Sequence, residues 1–117
     1  DKVRYHAAAA MASNLYVGLA NMCEQMLRDC GFSVANAHRA LSPLMIGNTE
    51  NIIQYGPVGA LTGPIERNDL TTVMDHLESL SEQEQKVYKI LSGEVINVAK
   101  MKHPERDYSE MERMLNS

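Results

Sequence analysis

Residues 3–30 of the chain read VRYHAAAAMASNLYVGLANMCEQMLRDC, a stretch that contains no proline. Apolar and small residues recur in it at steps of three and four, which is the spacing of one face of an α-helix. These positions are Ala7, Met11, Leu15, Gly18, Met22 and Met26. Gly31 can close such a helix in the left-handed conformation. We therefore predict one long helix from Val3 to Cys30, about 40 Å at 1.5 Å per residue, which is typical of a central helix or a subunit interface.

Capping residues mark the helices that follow. Ser33 predicts the start of a second helix, because serine side chains accept hydrogen bonds from the free N–H groups of a first turn. Ser42 with Pro43 predicts a boundary and the start of a third helix, since proline is frequent at the first helical position. We expect the second helix to end near Leu41 and the third at Gly56-Pro57.

Residues 56–69 are rich in glycine and proline, which predicts a loop or a short irregular helix. Loops of this length inside a domain often have a function. The segment LTGPI, residues 61–65, places the Thr62 hydroxyl next to a glycine. A structural turn is the simpler interpretation of this segment, and a ligand contact is the alternative.

Two longer helices and a short terminal helix are predicted after this loop. Asp69 is expected to cap a helix over residues 70–80, and Ser81 with Glu84 has the spacing of a capping box for a helix to about Lys100. No stretch alternates as a β-strand does, and the chain has no internal repeat. We predict a single all-α domain over residues 1–117, a bundle of about six or seven helices around the long N-terminal helix.

The composition excludes several classes of protein. A net charge of −4 and a pI near 5.5 do not provide the clustered cations that nucleic-acid binding needs. No apolar run approaches the roughly 20 residues of a membrane-spanning helix, and no leader segment is recognisable. The His and Cys residues lack the spacing of metal ligands, so no metal is expected.

The two cysteines indicate a reducing compartment. Cys23 and Cys30 are seven positions apart on the predicted helix. The helical rise then separates their Cα atoms by about 10 Å, beyond the reach of a disulfide. We expect two buried thiols and a cytoplasmic protein.

The polar residues of the first helix fall on one broad side of a helical wheel. They are His6, Ser13, Asn14 and Asn21. A solvated surface is the simpler interpretation of this side, but it contains few Lys and Glu residues. The alternative is the wall of a cleft, where neutral side chains orient a ligand by hydrogen bonds.

Three segments taken together resemble a known family. They are Tyr5-His6-Ala7-Ala8-Ala9 running to Ala12-Ser13-Asn14, then Glu50-Asn51-Ile52, then Ala60-Leu61-Thr62-Gly63-Pro64-Ile65 followed by Arg67-Asn68-Asp69. In order and spacing they closely resemble the C-terminal domain of the Rossmann-like bacterial oxidoreductases, a domain of unassigned function. That family is similar in layout to pyrroline-5-carboxylate reductase and 6-phosphogluconate dehydrogenase. The loop departs from the family pattern at Glu66, where a small residue is usual, and at Asn68, where glycine is commoner.

The resemblance implies a helical C-terminal domain that forms a homodimer and helps to bind a small-molecule substrate. It also implies a preceding Rossmann domain that binds NAD or NADP in the parent protein. That domain is absent from this chain, so no cofactor-binding residue and no activity are expected from the chain alone. By position, the residues that face the nicotinamide are His6, Ser13 and Asn14. The further residues lining the substrate site are Asn51, Thr62, Gly63 and Pro64.

His6 is the predicted catalytic residue, because it is the member of this set that exchanges a proton readily near neutral pH. The alternative is a histidine that hydrogen-bonds the helix start or the interdomain linker. The expected function is the dimerisation and substrate-binding domain of an NAD(P)-dependent reductase or dehydrogenase. The alternative function is a stand-alone helical interaction module without catalysis.

Overall fold

The computed structural model describes residues 1–117 and contains six α-helices and no β-strand. The helices are α1 (Lys2–Ala12), α2 (Asn14–Asp29), α3 (Val34–Ala60), α4 (Leu70–Ser79), α5 (Glu82–Lys102) and α6 (Ser109–Leu115). The predicted all-α fold with about six or seven helices is confirmed. None of these helices combines the length and the apolar character needed to span a lipid bilayer.

The predicted long N-terminal helix is interrupted at Ser13. The backbone angles at this residue, φ −121° and ψ −77°, separate α1 from α2. The Ser13 Oγ donates a hydrogen bond to the carbonyl of Ala9 at 2.6 Å. A serine hydroxyl that bonds to the carbonyl four residues earlier competes with the backbone and bends the helix. The continuous helix predicted from Val3 to Cys30 is therefore corrected to two helices that meet at Ser13.

Glycine and serine mark the ends of α2 and α3 as the sequence predicts. After α2, Gly31 has a φ of 101°, a left-handed conformation that L side chains rarely adopt. The Ser33 Oγ accepts a hydrogen bond from the N–H of Asn36 at 3.1 Å and so caps α3. Near the other end of α3, Gly56 has non-helical angles, φ 75° and ψ 172°. The predicted end of this helix is thus a kink at Gly56, followed by one last turn to Ala60.

The predicted boundary at Ser42-Pro43 is wrong, because α3 continues through both residues. The Ser42 Oγ does not cap a new helix but donates to the carbonyl of His38 at 2.7 Å. A proline inside a helix removes one backbone hydrogen bond. Ending one helix and starting another would leave several N–H and C=O groups without helical partners. The continuous helix therefore loses fewer hydrogen bonds than two separate helices.

The chain divides into two units, Asp1–Gly47 and Asn48–Ser117. In the first unit the only buried residue is Ala37. The Nδ1 of His38 on α3 lies 2.9 Å from the Oε2 of Glu24 on α2. The first unit thus has a polar contact between α2 and α3 but no cluster of fully buried apolar side chains.

Both cysteines belong to the first unit and are free thiols. Cys23 is half-buried, and this burial raises its pKa. Cys30 is exposed at the C-terminal end of α2, so the prediction that it is buried is wrong. The seven-residue spacing placed Cys30 nearly on the same helix face as Cys23, but that face is covered at only one of the two positions.

The second unit has an apolar core, formed by residues spaced three or four apart on each helix. Its buried residues are Ile65, Val73, Leu77, Ile96, Ala99, Tyr108, Met111 and Leu115. They come from α4, α5 and α6, from the loop before α4 and from the segment before α6. This core positions the loop before α4 and the segment before α6.

The predicted caps of α4 and α5 are confirmed. The Asp69 carboxylate accepts a hydrogen bond from the N–H of Thr72 at 3.1 Å. Ser81 and Glu84 form the reciprocal capping box, with each side chain bonded to the other residue's N–H. Each arrangement satisfies N–H groups that a first helical turn leaves without partners, so both helix starts are fixed by local sequence.

Candidate functional site

His6, the predicted catalytic residue, is exposed on α1 in the first unit. Its ring lies edge-on to that of Tyr5, with centroids 6.0 Å apart. The start of α1 is capped by Asp1, whose carboxylate accepts a hydrogen bond from the N–H of Val3 at 2.9 Å. The helix start therefore has a capping side chain other than His6, and the imidazole is accessible to a ligand.

Ser13 and Asn14 are exposed at the junction of α1 and α2. The Ser13 hydroxyl proton is directed to the carbonyl of Ala9, and its Oγ lies 3.4 Å from the Oδ1 of Asn14. These two side chains are thus neighbours. Because the helix breaks between them and His6, a single helical wheel no longer places all three on one face.

Asn51 and the turn Thr62-Gly63-Pro64 belong to the second unit. Asn51 is exposed on α3, and Thr62 is exposed in the loop of residues 61–69 that connects α3 to α4. Gly63 has a φ of 104°, a conformation that favours glycine because it lacks a Cβ. The predicted site residues are therefore divided between the two units, with close neighbours in each.

The 61–69 loop is held by its own backbone hydrogen bonds. The N–H of Arg67 donates to the carbonyl of Gly63 at 3.2 Å, and the N–H of Asp69 donates to that of Pro64 at 2.8 Å. Asn68 has a φ of 57°, in the left-handed region. Asparagine tolerates this region and glycine adopts it freely, which explains why both residues suit this position of the family pattern.

Residues that sequence reasoning did not identify hold this loop from outside. The segment of residues 102–108, which ends α5 and precedes α6, makes five hydrogen bonds to the loop. Two of them reach the carbonyl of Glu66, from the Arg106 Nη1 at 3.0 Å and the Tyr108 hydroxyl at 2.5 Å. The paired residues are 37 to 42 positions apart, so no local pattern could have indicated these contacts.

Two further hydrogen bonds join the ends of the loop to the same segment. The Lys102 Nζ donates to the carbonyl of Leu61 at 2.7 Å. At the other end, the Asn68 Nδ2 donates to the carbonyl of Asp107 at 3.1 Å. The loop is thus fixed near its beginning and near its end.

Glu66 is the centre of the charged contacts. Its side chain is only 16% exposed, and its Oε1 lies 2.9 Å from the His103 Nε2 and 3.5 Å from the Arg106 Nη1. The hydrogen bond from His103, with the nearby charges of His103, Arg106 and Lys102, lowers the pKa of Glu66 despite its partial desolvation. The group is therefore a carboxylate at neutral pH. On its other side, the His103 Nδ1 lies 3.6 Å from the Oε1 of Glu105.

The chemistry available to a ligand comes from neutral groups and one imidazole. The charged groups around Glu66 are engaged in holding the loop, whereas Asn14, Asn51 and Thr62 present exposed amides and a hydroxyl. No three His, Cys, Asp or Glu side chains lie close enough together to hold a metal ion. In the first unit, Asn14 and His6 can orient a polar organic molecule and exchange one proton with it. In the second unit, Asn51 and Thr62 can donate and accept hydrogen bonds.

Comparison with known families matches residues 1–95 to a domain of unknown function, DUF2520. No curated protein and no solved structure matched the chain. The matched region includes every predicted site residue from His6 to Pro64, whereas the segment 102–108 and α6 lie beyond it. Because the match spans most of the 117 residues, the chain belongs to the DUF2520 family.

Proposed function

We propose that this chain is the dimerisation and substrate-binding domain of an NAD(P)-dependent oxidoreductase, joined in its parent protein to a Rossmann domain that holds the cofactor. The resemblance to Rossmann-like oxidoreductases supports the enzymatic part of this proposal. The observation that carries the dimerisation part of the proposal is the apolar exposure of the first unit.

The first unit exposes ten large apolar or aromatic side chains and buries one alanine. Val3, Val17 and Leu44 are 77%, 70% and 68% exposed. Fully burying a side chain of this kind stabilises a protein by about 1.5–3 kcal/mol, so a surface that covers several of them gains substantial free energy. Exposed apolar surface on this scale is typical of an interface, and a twofold contact with a second copy is the commonest way to cover it.

The substrate in this proposal is a small carbonyl or imine compound. In the first unit, Ser13 and Asn14 orient it by hydrogen bonds, and His6 delivers a proton to the carbonyl oxygen or imine nitrogen. In the second unit, Asn51 and Thr62 offer hydrogen bonds to a substrate of the same class. In the parent protein, a nicotinamide held by the Rossmann domain would supply the hydride. Positioning of the two reactants then accounts for much of the rate.

A second candidate is a helical interaction module without catalysis. The exposed apolar side chains of the first unit favour it equally, because a different protein could cover them as well as a second copy. The two candidates differ in what they require upstream: the oxidoreductase needs a nucleotide-binding domain, and the module does not.

The enzymatic part is tested by reading the gene upstream of the Asp1 codon and producing the longer protein. We expect the upstream sequence to encode a strand, a glycine-rich turn and a helix. We also expect the longer protein to change the fluorescence of NADH or NADPH at micromolar concentrations. Residues 1–117 alone serve as the control and should not bind either nucleotide, because they lack the turn that holds a pyrophosphate. A start codon or an unrelated domain at that place would favour the interaction module.

The dimer is tested by light scattering at micromolar concentration. We expect about twice the chain mass of 13.0 kDa, since a twofold interface covers the first unit. Replacing Leu15 and Val17 by Glu, at positions 60% and 70% exposed, should raise the dissociation constant at least about tenfold, as two charges then need desolvation. The matched control is Ile90→Glu in the second unit, where the side chain is 75% exposed. A monomer mass for the unaltered chain would contradict the proposal.

A further inference from the structure

We propose that residues 102–108 form a polar clamp that sets the backbone path of the 61–69 loop, with Glu66 as its central positioning residue. The clamp itself follows from contacts inside the second unit. That the clamped loop contacts a substrate rests on the proposed function.

The clamp holds the loop at three separated positions rather than at one. These are the carbonyl of Leu61, both polar groups of Glu66, and the side chain of Asn68. A loop bound at a single point can rotate about it. A loop bound near both ends and in between has one path, so the contacts fix the position of the turn between them.

The groups that make the clamp are themselves fixed. The Tyr108 side chain belongs to the apolar core and is 2% exposed, so its hydroxyl reaches the carbonyl of Glu66 from an immobile ring. Arg106 contacts both the carbonyl and the carboxylate of the same residue. Hydrogen bonds that involve a charged group are about twice as strong as neutral ones. Glu66 is therefore held both by the neutral Tyr108 hydroxyl, on a buried ring, and by the charged Arg106 side chain.

The position of Glu66 is transmitted to the predicted substrate turn through the loop backbone. Arg67 and Asp69 follow Glu66, and their N–H groups bond to the carbonyls of Gly63 and Pro64. Movement of Glu66 would break or lengthen these two bonds. The Arg67 and Asp69 amides are therefore direct reporters of the clamp.

The clamp joins a segment beyond the matched region to two positions of the loop. Residues 102–108 lie beyond the matched region, which ends at residue 95. On the loop side, its side-chain partners are Glu66 and Asn68, the two positions at which the loop departs from the pattern it resembles. Residues 102–108 and these two loop residues thus contact each other in the structure.

Residue-resolved amide hydrogen exchange of the whole 117-residue chain tests the clamp with Tyr108→Phe. This change removes one hydroxyl and keeps the buried ring, so the Arg67 and Asp69 amides should exchange about 5- to 10-fold faster. The matched control is Tyr88→Phe, which removes a hydroxyl 3.0 Å from the His76 Nδ1 and should leave the loop amides unchanged. Unchanged loop exchange in Tyr108→Phe, or an equal increase throughout α4 and α5, would overturn the proposal.

The variant Glu66→Gln adds a second readout, the pH dependence of loop protection, which a change in packing alone would not alter. The titratable groups facing this carboxylate are those of Lys102, His103, Arg106 and Tyr108, with Glu105 beyond His103 and Arg67 and Asp69 along the loop. The pKa of Glu66 is lowered, so the protection it gives is complete above the usual glutamate range and is lost as the pH falls through the lowered value.

The loop protection factors of the unaltered chain should therefore fall about threefold or more on acidification, and those of Glu66→Gln should be low already at neutral pH and lack this step. An identical pH profile in both proteins would refute the role of Glu66. Neither nucleotide binding nor the mass of the assembly enters this measurement, so failure of the clamp and failure of the proposed function are distinguishable.

Discussion

Helices α2 and α4 are similarly amphipathic, but α4 buries Val73 and Leu77 whereas α2 buries no residue fully. The same contrast separates the two units. The second unit encloses a core of eight residues, and the first unit buries only Ala37. Apolar periodicity therefore identifies the face of a helix that needs a partner. It does not tell whether the same chain supplies that partner.

Separating the units should give the largest difference. Residues 48–117 produced alone should keep a helical circular dichroism spectrum and unfold cooperatively, because their core lies within them. Residues 1–47 alone, at a concentration too low for assembly, should lose most of their helical signal, since isolated helices of roughly 15 residues are marginal in water without packing. A monomeric 1–47 fragment as helical as it is in the whole chain would contradict the comparison.

A methionine truncation in each unit sharpens the comparison. Met111→Ala should lower the free energy of unfolding by about 2–5 kcal/mol, because this fully buried side chain leaves a cavity in the core. Met11→Ala should cost less than about 0.5 kcal/mol in the monomer, since the side chain is 62% exposed. Urea denaturation measures both, at a concentration too low for assembly. Equal losses would show that the first unit is packed as well as the second.

Replacing the serine before α5 should cost more stability than replacing the serine before α2, in line with the contrast between the two units. Ser81→Ala should cost about 1 kcal/mol, because it removes the capping box of α5. Ser13 makes no capping bond to α2, and its hydroxyl bonds back to Ala9. Ser13→Ala should therefore change the free energy of unfolding by less than about 0.5 kcal/mol, as alanine has the higher helix propensity. A larger loss for Ser13→Ala in thermal denaturation would give this helix junction a stabilising role.

The smallest expected effect is electrostatic. Hydrogen bonds from the Thr72 side chain and then its backbone N–H lower the pKa of Asp69. A lowered folded-state pKa contributes stability above the unfolded pKa, near pH 4, and loses it as the pH falls through the folded value. Asp69→Asn keeps a good N-cap but removes the charge, so its unfolding free energy should fall less steeply between pH 5 and about pH 2. Parallel pH profiles would assign the effect to other carboxylates, such as Asp107.

The helix starts were predictable because their causes are local. Ser33, Asp69 and Ser81 each accept hydrogen bonds within three residues, and Gly31 adopts the left-handed conformation directly after α2. Proline and serine inside helices were less predictable. The same residue types start helices elsewhere, and whether α3 continues through Pro43 depends on the hydrogen bonds of its whole length.

The predicted substrate turn was recognisable from the sequence, but the residues that anchor it were not. The turn from Thr62 to Pro64 was recognisable, because a glycine with a positive φ and a proline are local signals. Its anchoring by Arg106 and Tyr108 was not, since these residues are 40 and 42 positions away from Glu66. The sequence around Glu66 does not indicate that His103 and Arg106 contact its side chain.

The sequence by itself determined the all-α class, most helix boundaries and the family, because capping, periodicity and residue order are local properties of the chain. Tertiary structure alone decided which apolar faces are covered, where the first helix breaks, and which residues hold the 61–69 loop. Burial and long-range hydrogen bonds depend on which segments meet in space, and residues 37 to 42 positions apart have no pattern in the sequence that brings them together.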